Sequence, residues 1–307
     1  MKWIVHREVT MDPLKVFVTV IEQKNFSRAG DILNLSQPGV SLHIRNLENE
    51  LGTKLIYRSP KQVQITEPGK ILYRHAKQML NHYETAKREI NEFNNVVSGT
   101  MKIGASFTIG EYYLPKVLAE FAAQYPMVDI QIIISNSNDV IQGIRSNKLD
   151  IGLIEGETEY KDIDVRPFMN DEMIVVVPPD HPLSQMDLIE GNMLQNQTWV
   201  LREQGSGTRT YSDKLLSSLE LNIKKTFIFT SIQGVKEAVM AGLGIALLSR
   251  LTVQKELKSN ELKTFHLKNE PIIRPFSIVK KLDFEASKAM ELFLRKVEEF
   301  AIKGRPK

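Results

Sequence analysis

The chain has 307 residues, enough for two or three packed units rather than one small module. Hydrophobic residues at 42% and charged residues at 25% match ordinary globular usage, which excludes wholesale disorder and fibrous repeats. Zero cysteines exclude disulfides, thiolate metal sites and a cysteine nucleophile, and no stretch approaches the ~20 apolar residues of a membrane span. Net charge is only +3, yet residues 1–97 carry 14 basic and 10 acidic side chains, leaving 26 and 27 for the remainder. A polyanion partner is therefore expected at the N-terminal third. Residues 1–10 show no periodicity and place His6, Arg7 and Glu8 where a signal peptide needs an apolar run. They are expected to be a tail or extended start, and the protein to be cytoplasmic without membrane attachment.

Asp12, with Pro13 at the first helical position, predicts a short helix whose Leu14, Phe17 and Ile21 share one face. Lys24-Asn25 ends it. Phe26-Ser27 reads as staple and N-cap of a second short helix, Arg28 to Leu33, followed by a tight turn at Asn34-Leu35. A third helix runs from its N-cap Ser36, with Pro38 in its first turn, to Gly52 after Leu51. At 100° per residue Val40, Ile44, Leu47 and Leu51 form a packing stripe, and Gln37, Ser41, Arg45 and Glu48 a polar one about a quarter turn away.

Two short helices, a tight turn and a third helix with polar first turns describe a helix-turn-helix whose third element enters a major groove. Gln37 and Arg45 suit base edges, since Gln bonds adenine and Arg guanine in bidentate fashion. Ser36 and Ser41 suit phosphates. A three-helix bundle with a merely solvated polar face remains the alternative. Lys54–Arg58 and Gln62–Ile65 alternate around Ser59-Pro60-Lys61 and predict a small hairpin wing, with Arg58 and Lys61 facing a backbone.

Beyond Thr66-Glu67-Pro68-Gly69, neither Gly nor Pro occurs until Gly99. Leu72, Ala76, Met79, Tyr83, Ala86, Ile90, Phe93 and Val97 recur at intervals of four and three. This heptad seam predicts a long helix with nothing of its own to bury against, hence a partner copy. Arg74, Lys77, Glu84, Lys87, Arg88 and Glu89 flank it. His75 and His82 lie seven apart, a spacing that two solvated histidines explain more simply than a metal pair. Paired reading helices imply an interrupted near-palindromic operator.

Residues 12–97 resemble the N-terminal region of LysR-type transcriptional regulators, with FSRAG, LSQPGVSLHIRNLE, LGTKLIYR and ITEPGK in the family's order and spacing. Gly30 stands where that family mostly has Ala, at a helix cost of ~1 kcal/mol. His43 occupies a variable reading position, and Ile56 stands where Phe is common. The resemblance adds Arg28, Pro38 and His43 to the expected DNA-contacting set. The expected divisions are a winged helix-turn-helix at 11–67, a linker and dimerisation helix at 68–98 and an effector-binding domain at 99–307.

In the remainder, short β-rich runs alternate with helical patterns: 101–106, 130–135, 150–155, 173–178, 199–202, 227–230, 245–248 and 277–280. The alternation predicts parallel α/β sheets. The resemblance implies a periplasmic-binding-protein-like region of two lobes, 101–167 with 269–303 and 168–268.

Two strand-to-helix turns, Gly104–Gly110 and Arg202–Arg209, gather backbone amides and hydroxyls at helix N-termini, a site for a small anion. Ser106, Thr108, Ser206 and Thr208 are expected to donate to it, Arg209 to add charge, Gly205 and Gly207 to shape the second turn, and Ser135 to sit at the same edge. GSGTR lacks the ending of a P-loop, and Gly242-Leu243-Gly244 follows a helix instead of preceding one. The turns ASFTIGEYYLP and REQGSGTR resemble the branch of the family tied to sulfur assimilation and carbon fixation.

A DNA-binding regulator answering to a small anionic metabolite is the reading these features favour. The alternative is a cytoplasmic binding protein or an enzyme of the same two-lobed fold with a structural N-terminal bundle. No G-x-S-x-G elbow, H-E-x-x-H pair or P-loop supports catalysis, and no cofactor or metal is expected. The resemblance implies a homodimer, assembling to a homotetramer, that engages RNA polymerase.

Overall fold

The computed structural model describes residues 12–59, 62–93, 97–268 and 271–303. The chain divides into two compact units, Met1–Asn95 and Val96–Lys307. The expected tail at residues 1–10 and the wing residue Lys61 lie outside the described residues.

In the first unit, α1 (Asp12–Gln23), α2 (Phe26–Leu33) and α3 (Gln37–Leu51) precede the wing strands β1 (Ile56–Ser59) and β2 (Gln62–Ile65), which pair antiparallel from Ile56↔Ile65 to Ser59↔Gln62. The core holds Val16, Phe17, Val20, Ala29, Val40, Ile44, Leu47, Leu55 and Ile56. Asn25, rather than Ser27, caps α2: its side chain accepts from the Arg28 amide at 3.0 Å, and the helix starts at Phe26. Asn34 closes α2 in the left-handed region at φ 54, a conformation Asn tolerates through its short polar side chain. A Cβ on Gly30 would stand 2.5 Å from the Leu35 carbonyl oxygen, so an alanine here would require the turn to shift.

Two expectations for α3 are corrected. Leu51 is 47% exposed and outside the packing stripe, whereas Glu48, assigned to the reading stripe, is 3% exposed. Glu48 Oε1 accepts from the amides of Leu55 (3.0 Å) and Ile56 (3.4 Å), and Oε2 accepts from Lys54 Nζ at 2.8 Å. The residue ties the reading helix to the wing. The helix drifts relative to a strict heptad, and the tight return of the chain after Gly52 covers position 48 while leaving 51 in solvent.

Helix α4 (Glu67–Phe93) is also corrected in one respect: it does have something of its own to bury against. Ala76 is fully buried in the first unit's core, and Leu72, Tyr73 and Leu80 pack onto it. Tyr73 Oη and Lys77 Nζ both donate to Glu22 Oε1 of α1 at 3.0 Å. The first third of the heptad therefore serves intramolecular packing.

The second unit is a mixed sheet rather than the parallel one expected. β3 (Gly99–Ser106), β4 (Val128–Ser135) and β5 (Ile151–Glu155) pair in parallel, alternating with α5 (Leu114–Gln124) and α6 (Ser137–Arg145). β6 (Ile163–Val177) runs on without a break. Past the two-residue β7 (Leu188–Ile189), the parallel pair β8 (Thr198–Arg202) and β9 (Lys225–Phe229) alternates with α7 (Gly207–Ser218) and α8 (Ile232–Met240). β10 (Ala246–Ser249) joins β6 antiparallel, followed by α9 (Gln254–Lys258) and two short strands, β11 (Lys263–Thr264) on β6 and β12 (His266–Leu267) on β7. β13 (Ile272–Lys281) and α10 (Lys288–Lys303) complete the unit.

The main sheet has the order β10-β6-β13-β5-β3-β4. β6 and β13 pair antiparallel from Ile163↔Lys281 to Met173↔Ile272, with a bulge at Phe276/Ser277. Both lobes thus grow from one ribbon, and the crossings lie inside these strands. Sequence patterning detected only the ends at 173–178 and 277–280, because the remaining halves interleave charged and apolar residues. One lobe packs Ile103, Val117, Phe121, Leu153, Phe276 and Phe293. The other packs Trp199, Leu201, Leu216, Ile245 and Leu247 on one face of its strands and Val176, Val200, Val239 and Leu248 on the opposite face.

Glu48→Ala is expected to destabilise the first unit by ~1–3 kcal/mol, because it strands two amides, as measured by denaturant unfolding. Burial by itself would raise the Glu48 pKa, but the Lys54 ammonium and the two amides outweigh it and hold the carboxyl below its usual range. A depressed folded-state pKa contributes stability above the unfolded pKa that is lost as pH falls. The wild-type advantage over Glu48→Gln should accordingly shrink below the ordinary glutamate range, and a constant difference would contradict this account.

Candidate functional site

On α3 the N-cap oxygen of Ser36 accepts from the Gly39 amide at 3.3 Å, leaving its hydroxyl proton available. Gln37 and Pro38 are exposed, and Gln37 Nε2 donates to Ser41 Oγ at 3.0 Å, so these positions share a face. Arg45, one turn further, is exposed, His43 is half-buried, and Arg28 stands exposed on α2. The backbone of Arg58 pairs with Val63 across the wing. Of the seam residues beyond Ala76, Met79, Tyr83 and Ile90 are 49%, 45% and 62% exposed. Ala86 is exposed too, and the side chain of Phe93 lies outside the described residues.

In the second unit the two expected turns meet at a buried ion cluster. Arg274 on β13 has no solvent exposure. Its Nε donates to Asp171 Oδ2 and its Nη1 to Glu155 Oε2, each at 2.7 Å. The same guanidinium donates to Thr208 Oγ1 through Nη1 (3.0 Å) and to Thr108 Oγ1 through Nη2 (3.1 Å). Glu155, the last residue of β5, accepts from the Thr108 amide at 2.8 Å and from the Thr208 hydroxyl at 3.2 Å. Ser249 Oγ donates to Asp171 at 2.6 Å.

Around this cluster the lobes touch. The Asn138 amide donates to the Gly205 carbonyl at 3.1 Å. Gly205 adopts φ +88, the left-handed region that glycine favours. At Gly207 a Cβ would lie 2.4 Å from the Glu155 carbonyl oxygen, so the start of α7 is seated directly on β5. Phe107 of one lobe stacks on the Arg202 guanidinium of the other at 4.5 Å, and Arg202 is itself paired with Glu203.

The expected ligand donors are thus not equivalent. Thr208 commits its hydroxyl proton to Glu155, so it cannot donate to a ligand while that bond stands. Thr108 Oγ1 accepts from Arg274, and its hydroxyl also helps to hold the Glu155 charge. Ser106 Oγ is buried and makes no close hydrogen bond, only a weaker contact with the Glu155 carboxylate, and Ser206 makes no side-chain cap on α7. Ser135 Oγ donates to Asp139 at 3.1 Å beside the start of α6. Arg209 does not add free charge: Asp213 (2.8 Å) and the Arg202 carbonyl (3.1 Å) hold its guanidinium.

One guanidinium cannot fully compensate two buried carboxylates. Burial by itself raises Glu155, but Arg274, Thr108 and Ser106 bring it below its usual range; for Asp171 burial prevails over Arg274 and Ser249 and holds it above. Burial likewise raises Glu111, against the pull of Arg202 and Lys236. Glu155, Asp171 and Arg274 were not singled out from the sequence. Glu155 and Arg274 are charges in otherwise apolar runs, a usable signal, whereas Asp171 lies in a mixed stretch, and separations of 119 and 103 residues hide the pairing.

Residues 11–70 match the model of the bacterial regulatory helix-turn-helix protein, lysR family, and residues 94–301 that of the LysR substrate binding domain. The chain belongs to the LysR family. Within it, the HTH-type transcriptional regulator CysL of Bacillus subtilis (strain 168) is 46% identical over 92% of this chain and 95% of its own length. A probable RuBisCO transcriptional regulator of Synechocystis sp. is 32% identical, covering 94% of this chain and 85% of that protein. The regulatory domain of Synechocystis PCC6803 CcmR, solved in complex with 2-PG, shares the fold at a TM-score of 0.64 and 24% identity, covering 68% of this chain and all of that one. These relatives match the branch that the two turns suggested. This LysR protein is a transcriptional regulator with an N-terminal helix-turn-helix and a two-lobed α/β effector domain. Among the described residues no helix is long and apolar enough to cross a membrane.

Removing Arg274 strands two buried carboxylates, so Arg274→Met is expected to destabilise the second unit by ~3–5 kcal/mol. Denaturant unfolding of this variant, against Arg274→Met combined with Glu155→Gln and Asp171→Asn, checks it: the combined variant should recover part of the loss.

Proposed function

We propose that this LysR regulator reads operator DNA through the exposed face of α3 and changes state when a small anionic metabolite enters between its two lobes. Gln37 and Arg45 contact base edges. His43 tunes the reading, while Arg28, Ser36, Pro38 and Ser41, with Arg58 and Lys61 of the wing, follow the phosphates. Two copies associate along the later α4 seam, through Met79, Tyr83, Ala86, Ile90 and Phe93, and bind an interrupted near-palindrome. Pairs of dimers then form a homotetramer that engages RNA polymerase. The working divisions are 11–67 for reading DNA, 68–98 for association and 99–307 for sensing, and no catalytic step is assigned.

The observation that carries the ligand reading is Ser106, whose buried hydroxyl makes no close hydrogen bond and is left with a weak contact to the Glu155 carboxylate, in a polar junction between lobes. A buried hydroxyl left unbonded costs about 1–3 kcal/mol, a cost that an incoming acceptor removes. Beside it lie the Thr108 hydroxyl and the first amides of α7, which have no intrahelical acceptor. The cations at this junction are already paired, so the ligand is held by neutral donors and by the positive end of α7. Gly205, Ser206, Gly207 and Ser135 shape the edge, and Arg209 positions α7 rather than touching the anion.

Sequencing the genomic fragments protected by the purified protein tests the DNA reading, and failure to retain any duplex at low salt would overturn it. Arg45→Ala should weaken the preferred fragment by ~1–3 kcal/mol and relax one base position; an equal loss on all duplexes would demote Arg45 to a phosphate contact. Ser106→Ala removes no close folded-state hydrogen bond, so it should not lower the unfolding midpoint, while it should raise by about tenfold the concentration needed of a stabilising metabolite found in a thermal-shift screen of small phosphate, sulfate and carboxylate compounds, since ~1.4 kcal/mol of hydrogen bonding is a factor of ten.

A further inference from the structure

We infer that Arg274 and Glu155 form a shared positioning node through which each ligand-facing turn senses the state of the other. Thr108 opens the turn after β3 in one lobe, and Thr208 opens α7 in the other. Both are buried, at 0% and 2% exposure, and the two are bonded to the same two side chains. Arg274 donates to both hydroxyls, at 3.1 and 3.0 Å. Glu155 receives the Thr108 amide on one oxygen, at 2.8 Å, and the Thr208 hydroxyl on the other, at 3.2 Å. A displacement of either turn must therefore move a charge that the opposite turn is holding.

The node needs arginine. Four directed bonds leave one head group, from Nε to Asp171, from Nη1 to Glu155 and Thr208, and from Nη2 to Thr108. The planar guanidinium fork has five donors, whereas a lysine ammonium has three. Asp171, the register partner of Arg274 across the β6–β13 ribbon, anchors the fork to the strands that both lobes share.

Hydrogen-bond cooperativity supplies the direction of the signal. A ligand that accepts the Thr108 proton makes the Thr108 oxygen a stronger acceptor for Arg274 Nη2. The guanidinium is then drawn toward that turn and away from Thr208 and Glu155, which loosens the seat of α7. The use of this coupling in ligand sensing rests on the proposed function, but the coupling itself needs no ligand.

Hydrogen–deuterium exchange on the full-length chain, without ligand or DNA, tests it. Thr108→Val should accelerate exchange of the hydrogen-bonded amides of Thr210–Ser212 by at least tenfold, and Thr208→Val should do the same for residues 107–111. Thr108→Ser, which restores the hydroxyl, should return the α7 amides to the wild-type rate. If each valine variant accelerates exchange only in its own turn, the coupling is refuted. If one variant fails to fold, the other reads the coupling in the opposite direction. Because neither partner is present, a failed DNA or ligand assay leaves this result standing, and a failed exchange test leaves the regulator assignment standing.

Discussion

A single buried guanidinium organises the sensing half of this protein. Arg274 stands between Glu155 and Asp171, with no access to water that would screen its charge. In that setting a missing partner is severe, because an uncompensated buried charge costs several kcal/mol. The surrounding backbone is correspondingly constrained: β5 must end at Glu155, α7 must start against it, and β6 and β13 must keep Arg274 opposite Asp171. The cluster still carries one more carboxylate than cation, and the environment resolves that imbalance by treating the carboxylates differently. Glu155 receives two direct contacts from the turns and is held ionised, while Asp171, served by Ser249 and Arg274, is pushed toward its neutral form.

The reading half uses the same device on a smaller scale. Glu48 lies on the helix proposed to face DNA, yet its charge is buried and turned onto the wing. Lys54 and the amides of Leu55 and Ile56 fix the hairpin relative to α3. The position of the wing relative to α3 is in this way carried by one side chain. In both halves a buried acid sets the position of the groups around it, which is a structural duty.

Helix α4 divides its labour along its length. Its first turns close the helix-turn-helix core through Leu72, Ala76 and Leu80, and are braced by Tyr73 and Lys77 on Glu22. The later apolar positions Met79, Tyr83 and Ile90 remain exposed. One unbroken heptad in the sequence thus serves two burial problems, and spacing alone does not separate them, since a seam toward another copy and a seam toward the same chain have the same period.

Local features of the sequence were enough for local structure. The caps at Ser36 and Gly52, the tight turn at Asn34, the wing and the strand-to-helix turns each rest on a few neighbouring residues whose backbone preferences act over one or two helical turns, and the family motifs are likewise contiguous. Periodicity also located the buried stripe of Val40, Ile44 and Leu47. It misplaced Glu48 and Leu51, because burial there depends on where the chain returns after Gly52. The mixed sheet, the long ribbon of β6 and β13, and the meeting of Thr108, Glu155, Thr208 and Arg274 were decided only by tertiary structure. Their partners lie scores of residues apart, a buried ion pair has no periodicity, and a lone charge in an apolar strand reads the same whether it faces water or its counter-ion.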